Sequence, residues 1–142
     1  MKTRYVIAAL FVLIPCLLHS QNQTDSAGKK QGPWIKNYPN GKIMYEGTFK
    51  DDKPVGLFKR YNEEGVLQSE LTYSGKNDEA QAVFFHPDGQ KAAEGIYVAK
   101  KKEGLWKFYS ATKPCYLIGE ENYYEDIRHG LARKFYPDSS LA

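Results

Sequence analysis

One interval constrains this chain more than any single residue does. Glu46, Glu70 and Glu94 lie 24 residues apart, and so do Phe49, Tyr73 and Tyr97. Gly41, Gly65 and Gly89 repeat it, as do Gly32, Gly56 and Gly104 when Ala80 is counted as a lapsed glycine. A fixed period of this size marks a repeat array. Each unit is too small to bury a core alone, so successive units must stack.

The array occupies only part of the chain. Lys2 and Arg4 are followed by an apolar run from Tyr5 to Leu18 and a polar exit, His19-Ser20-Gln21. Basic start, short apolar stretch and polar end predict a secretory signal peptide over residues 1–20, cleaved after Ser20. The run is shorter than the roughly 20 residues a spanning helix needs. Leu13-Ile14-Pro15-Cys16 also has the outline of a lipoprotein signal, with Cys16 as the lipidated residue and Pro15 as its weak point. The localisation expected is therefore export: periplasm, outer envelope or outside the cell, with lipid anchoring through Cys16 as the variant.

Removing residues 1–20 takes Lys+Arg from 20 to 18 against 17 Asp+Glu, and the net charge from +3 to +1. So nearly neutral a chain does not call for a nucleic-acid partner. Lys100-Lys101-Lys102 is followed by Glu103 and reads as a solvated turn. Cys115 alone remains after cleavage, so no internal disulfide and no cysteine-rich metal site is available.

Residues 21–31 are polar and read as a flexible leader. The repeat domain is expected over 32–142, with units near 32–55, 56–79, 80–103 and 104–129 and a partial unit at 130–142. Each unit opens on a short, glycine-bounded aromatic run, which predicts a strand: Gly32-Pro33-Trp34 to Tyr38, Gly56-Leu57-Phe58 to Tyr61, Gly104-Leu105-Trp106 to Tyr109. Turns follow at Tyr38-Pro39-Asn40-Gly41, Asn62-Glu63-Glu64-Gly65 and His86-Pro87-Asp88-Gly89, with glycine taking the left-handed position that closes a hairpin. Ser139 stands in that place in the fifth turn.

The second half of each unit alternates with period two. Tyr45, Gly47 and Phe49 share one face; Met44, Glu46 and Thr48 share the other. Glycine weakens a strand unless something must approach closely. Gly47 and Gly95 therefore predict slots for aromatic rings from neighbouring strands, which would let a thin sheet bury Trp34, Phe58 and Trp106. The connections Asp51-Asp52-Lys53-Pro54, Gly75-Lys76-Asn77-Asp78 and Lys100 to Glu103 read as polar loops, with Pro54 keeping the chain out of the ladder. The fourth unit spans 26 residues, from Gly104 to Gly130.

Tyr45-Glu46-Gly47-Thr48-Phe49-Lys50, then Lys53, Gly56, Phe58, Tyr61 and Gly65, resembles the MORN repeat in its divergent bacterial variant, and Gly104, Trp106 and Tyr109 fit the same frame. The resemblance runs over about residues 29 to 138. Its departures are Ala80 for Gly, Ala82 and Ala132 for the aromatic, and Leu71 for Gly. It implies an all-β fold of tandem β-hairpins forming an elongated, twisted, single-layer antiparallel sheet. It also implies scaffolding between proteins and, in some members, attachment to phospholipid. Bacterial variants carry an antitoxin-like label, which fits an exported chain poorly.

No catalytic constellation emerges. His19, His86 and His129 are scattered, and no phosphate loop, dinucleotide fingerprint or nucleophile elbow is present. The repeated Glu46, Glu70, Glu94 and Glu120 or Glu121 argue against catalysis, which needs one special pair in one environment. A row of them in neighbouring strands is expected to be solvated or paired with Lys and Arg across the sheet. The expectation is a non-enzymatic protein with no cofactor and no metal, binding a protein partner through its sheet. A lipid or glycan surface is the alternative, and self-association through an open sheet edge is a further possibility. Interfaces favour Tyr and Trp, so the candidate interaction residues are Trp34, Tyr38, Phe58, Tyr61, Trp106 and Tyr109.

Overall fold

A computed structural model describes residues 21–142. The expected signal peptide and Cys16 lie outside the described residues. Ten strands follow one another in one antiparallel sheet, each bonded to its sequence neighbours, in the order β1 to β10. They are β1 Gln23–Thr24, β2 Lys30–Asn37, β3 Ile43–Lys50, β4 Lys53–Tyr61, β5 Leu67–Tyr73, β6 Glu79–Phe85, β7 Lys91–Val98, β8 Lys101–Tyr109, β9 Leu117–Tyr124 and β10 Ile127–Lys134. The expected tandem hairpins are thus present as one open sheet.

Two kinds of turn alternate along the chain. The longer turns carry Gly41, Gly65 and Gly89 at φ of 82°, 83° and 83°, and Ser139 takes the same region at 67°. The other connections, read from the sequence as loops, are tighter than that. Asp51-Asp52, Ala99-Lys100 and Glu125-Asp126 have both φ angles between 49° and 69°. Two positive φ angles in a two-residue loop make a type I′ turn, whose twist matches the strands it joins. Ala, Lys and Glu are poor advertisements for that conformation, which is why the sequence pattern hides it. Pro54 lies inside β4, opposite Phe49. Lys53 closes the hairpin against Lys50. Residue 54 then points its nitrogen toward β5, whose ladder begins only at Gly56, so no hydrogen bond is lost.

The repeated glycine before each aromatic is a bulge. Gly56, Gly104 and Gly130 have φ of 65°, 66° and 76°, and the register breaks at each of these places. Gly56, Leu57 and Phe58 stand against the single residue Gly47, and Gly104, Leu105 and Trp106 against Gly95. At Ala80 the ladder runs through unbroken. The extra residues sit in the loop instead, where Gly75 and Lys76 widen the turn around Asn77-Asp78. The 24-residue count survives because the same length is spent in a different place.

The bulges seat rings on glycines. A Cβ built on Gly47 would lie 2.0 Å from Phe58 Cδ2, and one on Gly95 2.3 Å from Trp106 Cδ2. Phe58 is 9% exposed and Trp106 1%. Trp34 is only half-buried, short of the burial expected for it, because no bulge and glycine pair covers it from the β1 side. Between the two seats lies Leu71 opposite Ala82. Large and small have exchanged sides there, so what reads in the sequence as two lapses is one compensated pair. Ala82 is 0% exposed and neighbours Gly95, which places the best-buried part of the sheet between β5 and β8.

The ends differ from expectation. The leader is ordered: Gln23 and Thr24 pair with Gln31 and Lys30. Asn22 donates its N–H to Pro33 O at 2.9 Å and accepts from Ile35 N at 2.8 Å. Asp25 accepts from the N–H groups of Ala27 and Lys29 at 2.9 and 3.0 Å. Short polar side chains that satisfy backbone donors locally hold a turn without apolar residues. β10, which carries the start of the partial fifth unit, pairs with β9, because each tight hairpin joins the second half of one unit to the first half of the next. Beyond the fifth turn Leu141 bridges Phe135.

Overpacking a filled core costs about 1–3 kcal/mol. Gly95→Ala should therefore destabilise the sheet by about 2–3 kcal/mol in chemical denaturation. Gly95→Leu with Trp106→Ala, copying the Leu71 and Ala82 pair, should recover stability relative to Gly95→Leu alone.

Candidate interaction surface

Cross-strand partners share a face of the sheet, so the registers sort every strand residue. One face carries Trp34, Phe58 and Trp106 with Tyr45, Phe49, Tyr73, Tyr97 and Tyr123. Rings meet in chains along it. Phe58 lies 5.3, 5.4 and 6.3 Å from Tyr45, Phe49 and Tyr73, and Trp106 lies 5.0 and 6.4 Å from Tyr97 and Tyr123. All of these pairs except the tilted Tyr45–Phe58 pair are edge-on, an arrangement that suits the ring quadrupole. Burial raises the phenol pKa of Tyr73 and of Tyr97. Lys30 Nζ sits 4.9 Å over Trp34 and 4.8 Å over Phe49, and Lys102 Nζ 4.7 Å over both Trp106 and Tyr123. Each ammonium closes off a ring pair from above.

The other face carries the repeated glutamates. Ile35, Glu46, Lys59, Glu70, Val83, Glu94, Lys107, Glu120 and Arg133 are successive cross-strand partners from β2 to β10. Apart from Ile35 and Val83, the row alternates in sign. Lys59 and Glu70 approach to 3.6 Å, Arg133 and Glu120 to 3.4 Å. Opposite charges facing each other across strands are worth about 0.2–1 kcal/mol a pair. Cross-strand ion pairing is thus found at Glu70 and Glu120, whereas Glu46 is bonded by Tyr61, and Glu94 by Lys91 of its own strand and by Tyr109.

The six candidate residues separate by face. Trp34, Phe58 and Trp106 are the packed aromatic row. Tyr61 and Tyr109 belong to the glutamate face. Tyr61 donates its hydroxyl to Glu46 at 2.7 Å and Tyr109 to Glu94 at 2.5 Å. Burial, then the bonded carboxylate, pushes each phenol up to about 12. Lys91 Nζ bonds the other oxygen of Glu94 at 2.7 Å, and this bond, followed by that of Tyr109, holds the Glu94 carboxyl below its ordinary value. Tyr38 sits at a long turn and donates to the backbone carbonyl of Tyr61 at 2.9 Å. His86, two units further on, places Nε2 3.1 Å from the carbonyl of Tyr109. These side chains tie units together. Among the described residues no three His, Cys, Asp or Glu side chains group as a metal site requires.

Sequence reasoning on the aromatics missed the residues that stay exposed. Leu57, Ile96 and Leu105 are 48%, 41% and 45% exposed. They stand on the glutamate face beside the charged row, Leu57 and Leu105 at the tips of their bulges. Their signal was in the sequence, as the middle residue of each Gly-x-aromatic triplet.

Comparison with known families places two of these hairpin units. Residues 30–51 and 54–74 match the MORN repeat variant. Those two segments are similar to MORN-variant repeats. The first matched segment contains β2 and β3, and the second β4 and β5 except for the first residue of β4. β6 to β9 repeat the same strand-and-turn plan. Comparison with curated proteins and with solved structures returned no match.

Two titrations follow. A phenol pKa raised from 10.0 to about 12 gives stability that is present below pH 10 and lost as pH climbs toward 12. Alkaline ultraviolet titration should show two late tyrosines, and Tyr61→Phe and Tyr109→Phe should each remove one. The lowered carboxyl of Glu94 gives stability that is present above its ordinary value of 4.5 and lost as pH falls through the lowered one. Glu94→Gln should flatten that acid limb, and a variant as acid-sensitive as the parent would contradict the assignment.

Proposed function

We propose that this chain is an exported, non-enzymatic repeat protein whose sheet surface binds another protein in the cell envelope or outside the cell. The observation that carries the reading is a sheet of one layer with large apolar side chains left exposed on its glutamate face. Leu57, Ile96 and Leu105 stand proud of a row of matched charges, and apolar anchors beside satisfied polar groups are what protein interfaces are made of. MORN-variant repeats are compatible with an interaction role. Export rests on the sequence of residues 1–20, and the antitoxin-like reading would require the chain to stay in the cytoplasm.

The test has two parts. Fractionation with sequencing of the mature N-terminus should find the protein outside the cytoplasm, beginning near Gln21. A photo-crosslinking residue placed at Thr72 on the glutamate face, or at Ala93 on the aromatic face, should yield a discrete protein adduct in envelope or secreted material. An unprocessed cytoplasmic chain, or no protein adduct from either face, would overturn the reading. Adducts with lipid or glycan alone would replace it with the surface-binding alternative.

A further inference from the structure

The charged side chains are divided unequally between the two faces. Lys30, Lys36, Arg60, Lys102, Arg128 and Lys134 belong to the aromatic face, by their cross-strand partners or by the rings their ammonium groups cover. The strands give that face one carboxylate, Glu121, which Arg128 meets at 3.3 Å. The glutamate face is balanced: its strand cations stand among Glu46, Glu70, Glu79, Glu94, Glu103 and Glu120. A chain whose net charge is only +3 therefore concentrates its excess on one side. Lys36, Arg60 and Lys134 are exposed and have no carboxylate within 4.0 Å among the described residues.

We propose that the aromatic face docks an acidic polypeptide segment through these unpaired cations. The inference rests on the reading of the sheet as a protein-binding surface and names the chemistry of the partner. Charge complementarity sets the sign of the partner. The burial of the rings sets its kind. Trp106 and Phe58 are covered, and Lys30 and Lys102 lie over the ring pairs, so the large planar surfaces that stack bases or sugars are not on offer. Lys36 and Arg60 stand two strands apart, about 10 Å at ordinary strand spacing. That is wider than the repeat of a nucleic-acid backbone and within the reach of Asp and Glu side chains spaced along an extended peptide. Half-buried Tyr45 lies between them as cross-strand partner to both, offering an apolar contact.

The experiment compares two triple variants of equal charge in a direct binding assay. One is Lys36→Gln, Arg60→Gln, Lys134→Gln on the aromatic face; the other is Lys50→Gln, Lys53→Gln, Lys101→Gln on the glutamate face. The probe is a labelled peptide with Glu at every second position, so that all its carboxylates line one face of the extended chain, and Leu and Tyr between, against the same peptide with Gln for Glu. The parent should bind the acidic peptide at least about tenfold tighter than the Gln peptide, and added salt should weaken it. The aromatic-face triple should lose about tenfold and the glutamate-face triple less than about twofold. Equal losses in both triples would overturn the proposal, as would no preference for the acidic peptide. Tighter binding to single-stranded DNA, heparin or anionic vesicles than to the acidic peptide would also overturn it. Protein adducts from Thr72 with none from Ala93 would sink this inference and leave the protein-binding reading standing.

Discussion

A ring laid on a glycine is the contact on which this sheet depends. One layer of strands has no second layer to pack against, and large side chains on it would ordinarily stand in water. Phe58 over Gly47 and Trp106 over Gly95 solve that problem inside the layer. The missing Cβ opens a seat, and the three-residue bulge of the next strand carries the ring across to it. The ring then lies flat enough to be buried and broad enough to meet rings on either side. Burying such a side chain is worth about 1.5–3 kcal/mol, gained twice in a stretch that has few other buried apolar groups.

Everything else on the two faces follows from where those seats fall. Alternation along the strands puts the repeated glutamates on the face away from the rings, so the aromatic face keeps Glu121 and the other face receives its carboxylates in a row. Lys59, Lys107 and Arg133 pair with that row. Tyr61 and Tyr109 arrive at it from the far ends of the strands whose rings they follow. The cations left on the aromatic face then have almost nothing to neutralise them. Packing and electrostatics are in this sense one pattern, set by the same period of two within the period of 24 residues.

Much of this was legible in the sequence, and the reasons for the rest are specific. The interval gave the hairpins, the glycines at 41, 65 and 89 gave the turns, and Gly47 and Gly95 gave the ring seats. The glutamate row announced the cross-strand ion pairs found at Glu70 and Glu120. The tight turns were hidden because Ala99-Lys100 and Glu125-Asp126 adopt left-handed conformations that their side chains do not favour. The ordered leader was hidden because its hold comes from Asn22 and Asp25 rather than from apolar residues. Leu71 and Ala82 looked like decay until their partnership across β5 and β6 was visible. Residue type groups the six candidate interaction residues together, and only the cross-strand registers and hydroxyl partners separate the rings of one face from the tyrosines of the other.

The ring-on-glycine account makes the middle of the sheet, from β4 to β8, its most stable part, with protection declining toward β10, where every residue is exposed. Native-state hydrogen exchange resolved by residue measures this directly, because the slowest amides mark the last structure to open. The account predicts the slowest exchange in β4, β7 and β8 around Phe58, Gly95 and Trp106, and the fastest among the strands in β1 and β10. Uniform exchange across all ten strands, or slowest exchange in β9 and β10, would contradict it.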